Sequence, residues 1–309
     1  MMKCSACRRR KAIYVRPYSG ETLCKKCFLD SIENKVRVAI GKHGMFEMDD
    51  NIAVAVSGGK DSISLLHILT KIENAFPKAS LCAITVDEGI KGYRDEAIEI
   101  ATENCADLGV KHVVVSFKDL YGHTLDEIVY KTQDRNLTPC SYCGVLRRKA
   151  LNIAAHKVCA DKIATAHNLD DEVQTFLLNL IHGDPLRIAR SDPASDLEKS
   201  MFIPRVKPFC EVLEKEIVLY AYIKGVSFQV IPCPYAGEAL RNDIRHILNR
   251  LEEKHPSTKY TAYSSMEKVR EAMKEITMKT QVKRCEQCGE LTTGNICQTC
   301  QLLRELETS

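Results

Sequence analysis

The feature that most constrains this chain is the run Ser57-Gly58-Gly59-Lys60-Asp61-Ser62. It stands between an apolar stretch, Ile52 to Val56, and a helical pattern with apolar Ile63, Leu65, Leu66, Ile68, Leu69 and Ile72. A strand that ends in a glycine turn and reopens as a helix is a phosphate-binding construction. Two adjacent glycines let the backbone approach an anion, and the free N–H groups of the first helical turn point at it. Lys60 adds a cation; Ser57 and Ser62 add hydroxyl donors. The common nucleotide loop, G-x-x-x-x-G-K followed by Ser or Thr, is absent, so a kinase-like or GTPase-like reading does not fit.

Around this run the chain alternates strand-like and helix-like segments. Ile52–Val56, Leu81–Val86, His112–Val115 and Lys162–Ala166 read as strands, and Ser62–Ile72, Arg94–Leu108, Val145–Val158 and Asp171–Ile181 as helices. That order predicts βαβ units and a parallel sheet, with ligands at the C-terminal strand ends. Ser57 and the turn Asp87-Glu88-Gly89 both fall at such ends. The stretch from Gly183 to Ser200 is polar and turn-rich, a mobile loop by composition. Helical patterns resume at Glu211–Lys224, Ala239–Leu251 and Met266–Ile276.

Fifteen cysteines in a chain that starts without an apolar signal region point to a cytoplasmic location and to metal or redox chemistry rather than a disulfide framework. No run approaches the ~18 apolar residues of a membrane helix. Cys4, Cys7, Cys24 and Cys27 form one C-x-x-C…C-x-x-C set, and Cys285, Cys288, Cys297 and Cys300 another. Four thiolates in two close pairs suit tetrahedral Zn²⁺, as in a zinc ribbon or knuckle, and metal binding would supply the folding energy that such short segments lack. Cys82, Cys105 and Cys159 fall in strand or helix segments and read as small buried hydrophobes; Cys210 is ambiguous. Cys140 and Cys143 stand directly before a helix, where thiolates are favoured. Cys233 lies between Pro232 and Pro234. If the fold brings these three together, they could hold a cluster with one open iron, a redox disulfide or a third zinc.

The net charge of +3 is too small to prove a nucleic-acid partner. Local basic clusters say more: Arg8 to Lys11, Arg147 to Lys149, Arg187 with Arg190, Arg205 with Lys207, and Arg241 with Arg245. On a nucleotide-using scaffold they point to RNA.

The motifs together resemble the TtuA/NcsA family of tRNA 2-thiouridine synthetases, PP-loop ATP pyrophosphatases with eukaryotic cytosolic homologues. The resemblance covers the whole chain. It rests on Cys4–Cys27, the SGGKDS loop, the VDEGI turn at Val86–Ile90, PCSYCG at Pro139–Gly144, the element Ala166–Glu172, Cys233 between prolines, and Cys285–Cys300. It implies an α/β fold: a parallel-sheet PP-loop domain of the adenine nucleotide alpha hydrolase type, flanked by zinc-ribbon modules. The expected divisions are a zinc finger at 1–30, a catalytic domain at 31–255, a helical linker at 256–283 and a zinc ribbon at 284–309. It also implies zinc on the two quartets and an oxygen-sensitive [4Fe-4S] cluster on Cys140, Cys143 and Cys233 with an open iron. Nucleotide contacts would fall at Ala55, Val56, Ser57, Gly58, Gly59, Lys60, Asp61, Ser62, Ile84, Asp87, Arg147, Ala166 and Asp171.

The implied reaction uses ATP and Mg²⁺ to transfer AMP to the C2 oxygen of a tRNA uridine, which sulfur then displaces. Lys60 would neutralise phosphate charge, and Asp61 would bind magnesium or order the loop. His167 reads as a proton carrier or as a satisfied histidine at a strand end. The target is expected at wobble position 34, with position 54 the alternative, and the protein as a homodimer. The sulfur donor is a ubiquitin-like thiocarboxylate protein, a persulfide carrier or free sulfide. Two rivals are a 2-thiocytidine synthetase, which the terminal zinc modules disfavour, and a zinc-ribbon RNA-binding adaptor, which the intact loop disfavours.

Overall fold

The structure, a computed structural model, describes residues 2–132, 137–189, 203–236, 240–273, 283–292 and 294–307. Arg190, Ala239, residues 190–200 of the polar stretch and 274–276 of the expected Met266–Ile276 helix lie outside these.

The N-terminal cysteines sit on a small hairpin, Tyr14–Val15 (β1) and Thr22–Leu23 (β2), that runs directly into the helix Lys25–Lys42 (α1). α1 is unexpected, because the second C-x-x-C pair reads as part of a separate module. In fact Cys24 is its N-cap, and residue 30 falls in its middle. Phe28, Ile32, Val36 and Ala39 recur at helical spacing and are buried in the main core.

A five-stranded parallel sheet follows. Its strands are Asn51–Ala55 (β3), Ser80–Asp87 (β4), Lys111–Ser116 (β5), Lys162–Ala164 (β6) and Arg205–Val206 (β7), in spatial order β5-β4-β3-β6-β7. Strand order reverses beside β3, so the crevice at its C-terminal end is a topological switch point, the place where such sheets bind ligands. Ile52 and Val54 pack into one apolar cluster and Ala53 into another on the opposite face, as a central parallel strand requires.

The helices that cover the sheet are, in chain order, Lys60–Glu73 (α2), Arg94–Leu108 (α3), Phe117–Tyr121 (α4), Leu125–Lys131 (α5), Pro139–Lys157 (α6), Leu169–Ile181 (α7), Pro185–Ala189 (α8), Glu214–Lys224 (α9), Leu240–Lys254 (α10) and Thr258–Ala272 (α11). A second hairpin, Lys283–Arg284 (β8) and Leu291–Thr292 (β9), and the helix Gln298–Glu307 end the chain. Among the described residues no helix is long and apolar enough to cross a membrane.

Three expectations need correction. α6 starts at Pro139 rather than Val145, so Cys140 and Cys143 lie inside the helix; Thr138 takes the N-cap and Pro139, with its fixed φ, the first turn. α11 begins at Thr258, eight residues before the expected Met266, and packs on α7 with Tyr263 and Met266 buried. Cys159 is not a core residue. It is exposed, with φ +53°, in the turn between α6 and β6.

One buried network fastens the N-terminal module to the catalytic core. The Glu216 side chain is fully buried, with Arg16 Nε at 2.7 Å and Lys35 Nζ at 2.9 Å. The hydroxyl of Tyr18 donates to it at 3.0 Å, and Lys35 also reaches Tyr260 of α11 at 2.8 Å. Glu216→Ala strips Lys35 of its carboxylate and leaves Arg16 with only the exposed Glu21, and should cost about 3–5 kcal/mol, measured by urea denaturation. A loss below about 1 kcal/mol, the scale of an exposed pair, would show that the network does not hold the module.

Candidate active site and metal centres

Gly58 makes the loop possible. Its φ is +87°, and a Cβ there would lie 2.4 Å from the Ala97 carbonyl oxygen, so no other residue fits without moving α3. Ser57 and Ser62 close the loop internally. Ser62 Oγ accepts from Ser57 N at 3.0 Å, donates to the Gly59 carbonyl at 3.0 Å and lies 3.1 Å from Ser57 Oγ. The carbonyls of Ser57 and Gly58 are taken by Arg94 at 3.0 Å and by Gln229 N at 2.9 Å. With its carbonyls engaged, the loop presents the N-terminus of α2, capped by Gly59, as an anion site.

Lys60 opens α2 with its ammonium 2.7 Å from Asp61 Oδ2 and 2.9 Å from Glu214 Oε1. Burial works against that charge, yet the two carboxylates hold its pKa above the usual lysine value. Asp61 shifts upward because it is buried, with Lys60 opposing and Asp171 and Glu214 adding to the rise. Its Oδ1 faces Asn168 Nδ2 at 3.5 Å. Asn168 and Asp171 form the capping box of α7, so the Ala166–Glu172 element lies beside the loop. His167 is exposed and hydrogen-bonds Thr165 Oγ1 at 3.0 Å.

Beside the loop a pocket opens at the ends of β3 and β4. Ala55, Val56, Ser57, Ile84, Arg147 and Leu151 line it, with Glu88 and Arg94 at its wall. Asp87 is not part of that lining; its carboxylate accepts from Gly89 N at 2.8 Å and shapes the turn. Sequence reasoning missed Glu88, Arg94, Glu214 and Gln229. Arg94 carried a signal: a cation in the first turn of a helix opposes the macrodipole and needs another reason to be there.

Of the cysteines outside the quartets, Cys143 adjoins this pocket through Arg147, and Cys140 and Cys233 lie on the start of α6 and the 233–235 segment beside it. Arg147 donates to Cys143 Sγ at 3.0 Å, and burial pushes the Cys143 thiol up to about 11, with Arg147 opposing and Cys233 adding to the rise. Cys140 is exposed, and its thiol donates to the Tyr235 carbonyl at 3.3 Å. Cys233 packs against the same apolar cluster as Cys143. It lies four residues beyond Gln229, whose N–H bonds the Gly58 carbonyl of the loop. The three sulfurs are not among the described groups whose ligand atoms all lie within 4.8 Å of one another.

The two quartets do meet that criterion. Backbone N–H groups aim at their sulfurs: that of Cys7 leads in drawing Cys4 down to about 6, and that of Cys297, 3.2 Å from Cys285 Sγ, does the same for Cys285. Such donors stabilise the thiolate form that metals bind. The C-terminal module sits on α6, with Glu290 3.3 Å from Lys149, and Leu302 and Leu306 buried in the cluster that α6 lines. Of the basic clusters, Arg205 and Lys207 are engaged internally, with the Arg148 carbonyl at 2.7 Å and Glu172 at 2.8 Å. Arg8 to Lys11 are exposed.

Comparison with known proteins agrees with this architecture. Residues 29–252 match the PP-loop domain family, and residues 3–29 match the family described as 2-thiouridine synthetase TtuA, N-terminal LIM domain. The chain is 38% identical to the tRNA 2-thiolation protein NcsA of Haloferax volcanii, with 99% of each covered. It is 38% identical to the cytoplasmic tRNA 2-thiolation protein 1 of Chlamydomonas reinhardtii, over 98% of this chain and 84% of that one. The solved structure of the U34-tRNA thiolase NcsA from Methanococcus maripaludis with its [4Fe-4S] cluster superimposes with a TM-score of 0.85 at 33% identity, covering 99% of this chain and 97% of that one. Loop, cysteine sets and full-length similarity coincide, and the chain belongs to the TtuA/NcsA family of PP-loop tRNA 2-thiolation proteins.

Proposed function

We propose that this protein uses ATP to adenylate the C2 oxygen of a tRNA uridine and exchanges that oxygen for sulfur, giving 2-thiouridine at wobble position 34. The observation that carries the reading is Arg147, which lines the pocket beside the pyrophosphate loop and donates to Cys143, with Cys140 and Cys233 on the neighbouring segments. The thiolase relative that acts on U34 supports the choice of position.

The uridine C2 carbonyl is a poor electrophile because the ring amide delocalises it. Transfer of AMP to its oxygen, with pyrophosphate leaving, creates a good leaving group. The N-terminus of α2 and Lys60 hold the departing pyrophosphate, where negative charge grows in the transition state. Asp61, with Asp171 beside it, is placed to take Mg²⁺. Ala55, Val56 and Ile84 give the pocket an apolar floor for adenine. Sulfur attack at C2 then releases AMP. Cys140, Cys143 and Cys233 fit a cluster by donor chemistry: three thiols outside the quartets, two of them one turn apart at the start of α6, with Arg147 opposing the burial that raises Cys143. A [4Fe-4S] cluster held there would supply one iron without a protein ligand, open to inorganic sulfur. The quartets hold structural zinc. The protein works in the cytoplasm, as its eukaryotic relatives are named, on sulfur from a thiocarboxylate protein, a persulfide carrier or free sulfide.

Lys60→Ala or Asp61→Ala should lower tRNA-dependent AMP formation by at least about 100-fold, with circular dichroism and metal content unchanged. Parental thiolation by either variant, read by nucleoside mass spectrometry of the tRNA, would remove the loop from the reaction. Anaerobic reconstitution followed by Mössbauer spectroscopy tests the three cysteines. Alanine at Cys140, Cys143 or Cys233 should abolish cluster and thiolation together and spare ATP binding, while Cys82→Ala and Cys105→Ala do neither. Full activity of an iron-free preparation would sink the cluster. Zinc analysis should find about two ions per chain, and Cys288→Ala should lose one of them; unchanged zinc in that variant rejects the C-terminal site.

A further inference from the structure

The turn after β4 buries a charged group that the reaction above leaves unused. Glu88 is 3% exposed. Its Oε1 lies 2.6 Å from Arg147 Nε and its Oε2 faces Arg94 Nε at 2.8 Å. A carboxylate removed from water between two guanidiniums fixes both of them.

The two arginines differ in what else holds them. Arg94 is buried and donates to the carbonyls of Ser57 at 3.0 Å and Val86 at 2.6 Å, so the loop and β4 keep it in place without Glu88. Arg147 has a side chain 47% exposed at the pocket wall, and its other polar contact is the Cys143 sulfur at 3.0 Å. Released from Glu88, it would be a long, mobile cation at the wall of the nucleotide pocket, beside the loop that takes the phosphates. A free guanidinium there turns to the phosphates.

We propose that Glu88 is a positioning residue that holds Arg147 toward Cys143 and away from the ground-state phosphates of ATP. The inference rests on the nucleotide reading given above. Glu88 lowers ATP affinity in two ways, by engaging Arg147 and by placing a negative charge at the pocket wall. What it contributes is orientation: a cation fixed between the nucleotide and Cys143, where binding energy withheld from the substrate raises turnover instead.

The test separates binding from turnover. ATP affinity is measured by calorimetry on cluster-free protein, and kcat for tRNA-dependent AMP formation on the reconstituted enzyme. Glu88→Gln should tighten ATP binding by about three-fold or more, the direction set by removing a like charge. The same variant should lower kcat by about ten-fold as the orientation of Arg147 is lost. Glu88→Asp, which keeps the charge, should retain parental affinity. Arg147→Met leaves the Glu88 carboxylate facing the pocket without its cation and should weaken ATP binding, and adding Glu88→Gln should restore it. This last pair carries the test alone if Glu88→Gln does not fold. Weaker ATP binding in Glu88→Gln, or no recovery in the double variant, overturns the proposal. A parent that binds ATP but forms no AMP with tRNA rejects the proposed function and leaves the binding comparison standing.

Discussion

The first turn of α9 is the joint on which the rest of the molecule depends. Glu214 and Glu216 are two residues apart and therefore face different sides of the helix. Glu214 meets Lys60 of the pyrophosphate loop; Glu216, fully buried, meets Arg16 of the N-terminal module and Lys35 of α1. The turn is itself pinned, because Glu214 N donates to Asp170 Oδ2 at 2.8 Å and Asp170 pairs with the buried ammonium of Lys259 from α11. Four separate parts of the chain thus converge on one helical turn. The Arg16–Glu216 and Lys259–Asp170 pairs are buried on both sides, so losing one partner there strands the other. Lys60 and Glu214 meet at the part-exposed edge of the same turn.

Much of the fold was legible because its strands are apolar and its loop motif has one structural use. β3 and β4 are interior strands with continuous apolar runs, and the edge strand β5 carries Val113 to Val115. The elements that escaped did so for physical reasons. α1 follows a cysteine pair without a break, so a metal module and a core helix share one segment. The start of α11 is polar, Thr258 to Tyr260, and is fixed by Glu252 accepting from Lys259 N at 2.9 Å, a contact invisible in sequence. Cys159 looked like its buried neighbours in composition, but a positive φ places it at the surface.

The candidate site was legible in its glycines, Lys60, Asp61 and cysteines, and illegible in the charges that support them. In sequence Glu88 reads only as part of the turn after a strand, and Arg94 only as the start of a helix. Only their burial, 3% and 4% exposed, shows that the turn after β4 is a charged core rather than a surface. The serines moved the other way. Ser57 and Ser62, expected as phosphate donors, hydrogen-bond each other and the loop backbone, so they also set the loop's shape. A phosphate site built from backbone amides needs that shape held before the ligand arrives.

α6 carries the last step of the argument. Cys140 and Cys143 occupy its first turns, Arg147 follows one turn later at the nucleotide pocket, and Lys149 and Asn152 beyond them meet Glu290 of the C-terminal module at 3.3 and 3.5 Å. One rigid helix therefore spaces three sites along its length, with the C-terminal four-cysteine module pressed against its outer part. Because that module cannot form a core of its own, its place is set by Leu302 and Leu306 entering the α6 cluster. The same packing fixes the helix that presents the cysteines. The C-terminal quartet and the start of α6 that carries Cys140 and Cys143 are thus linked through a single packed interface.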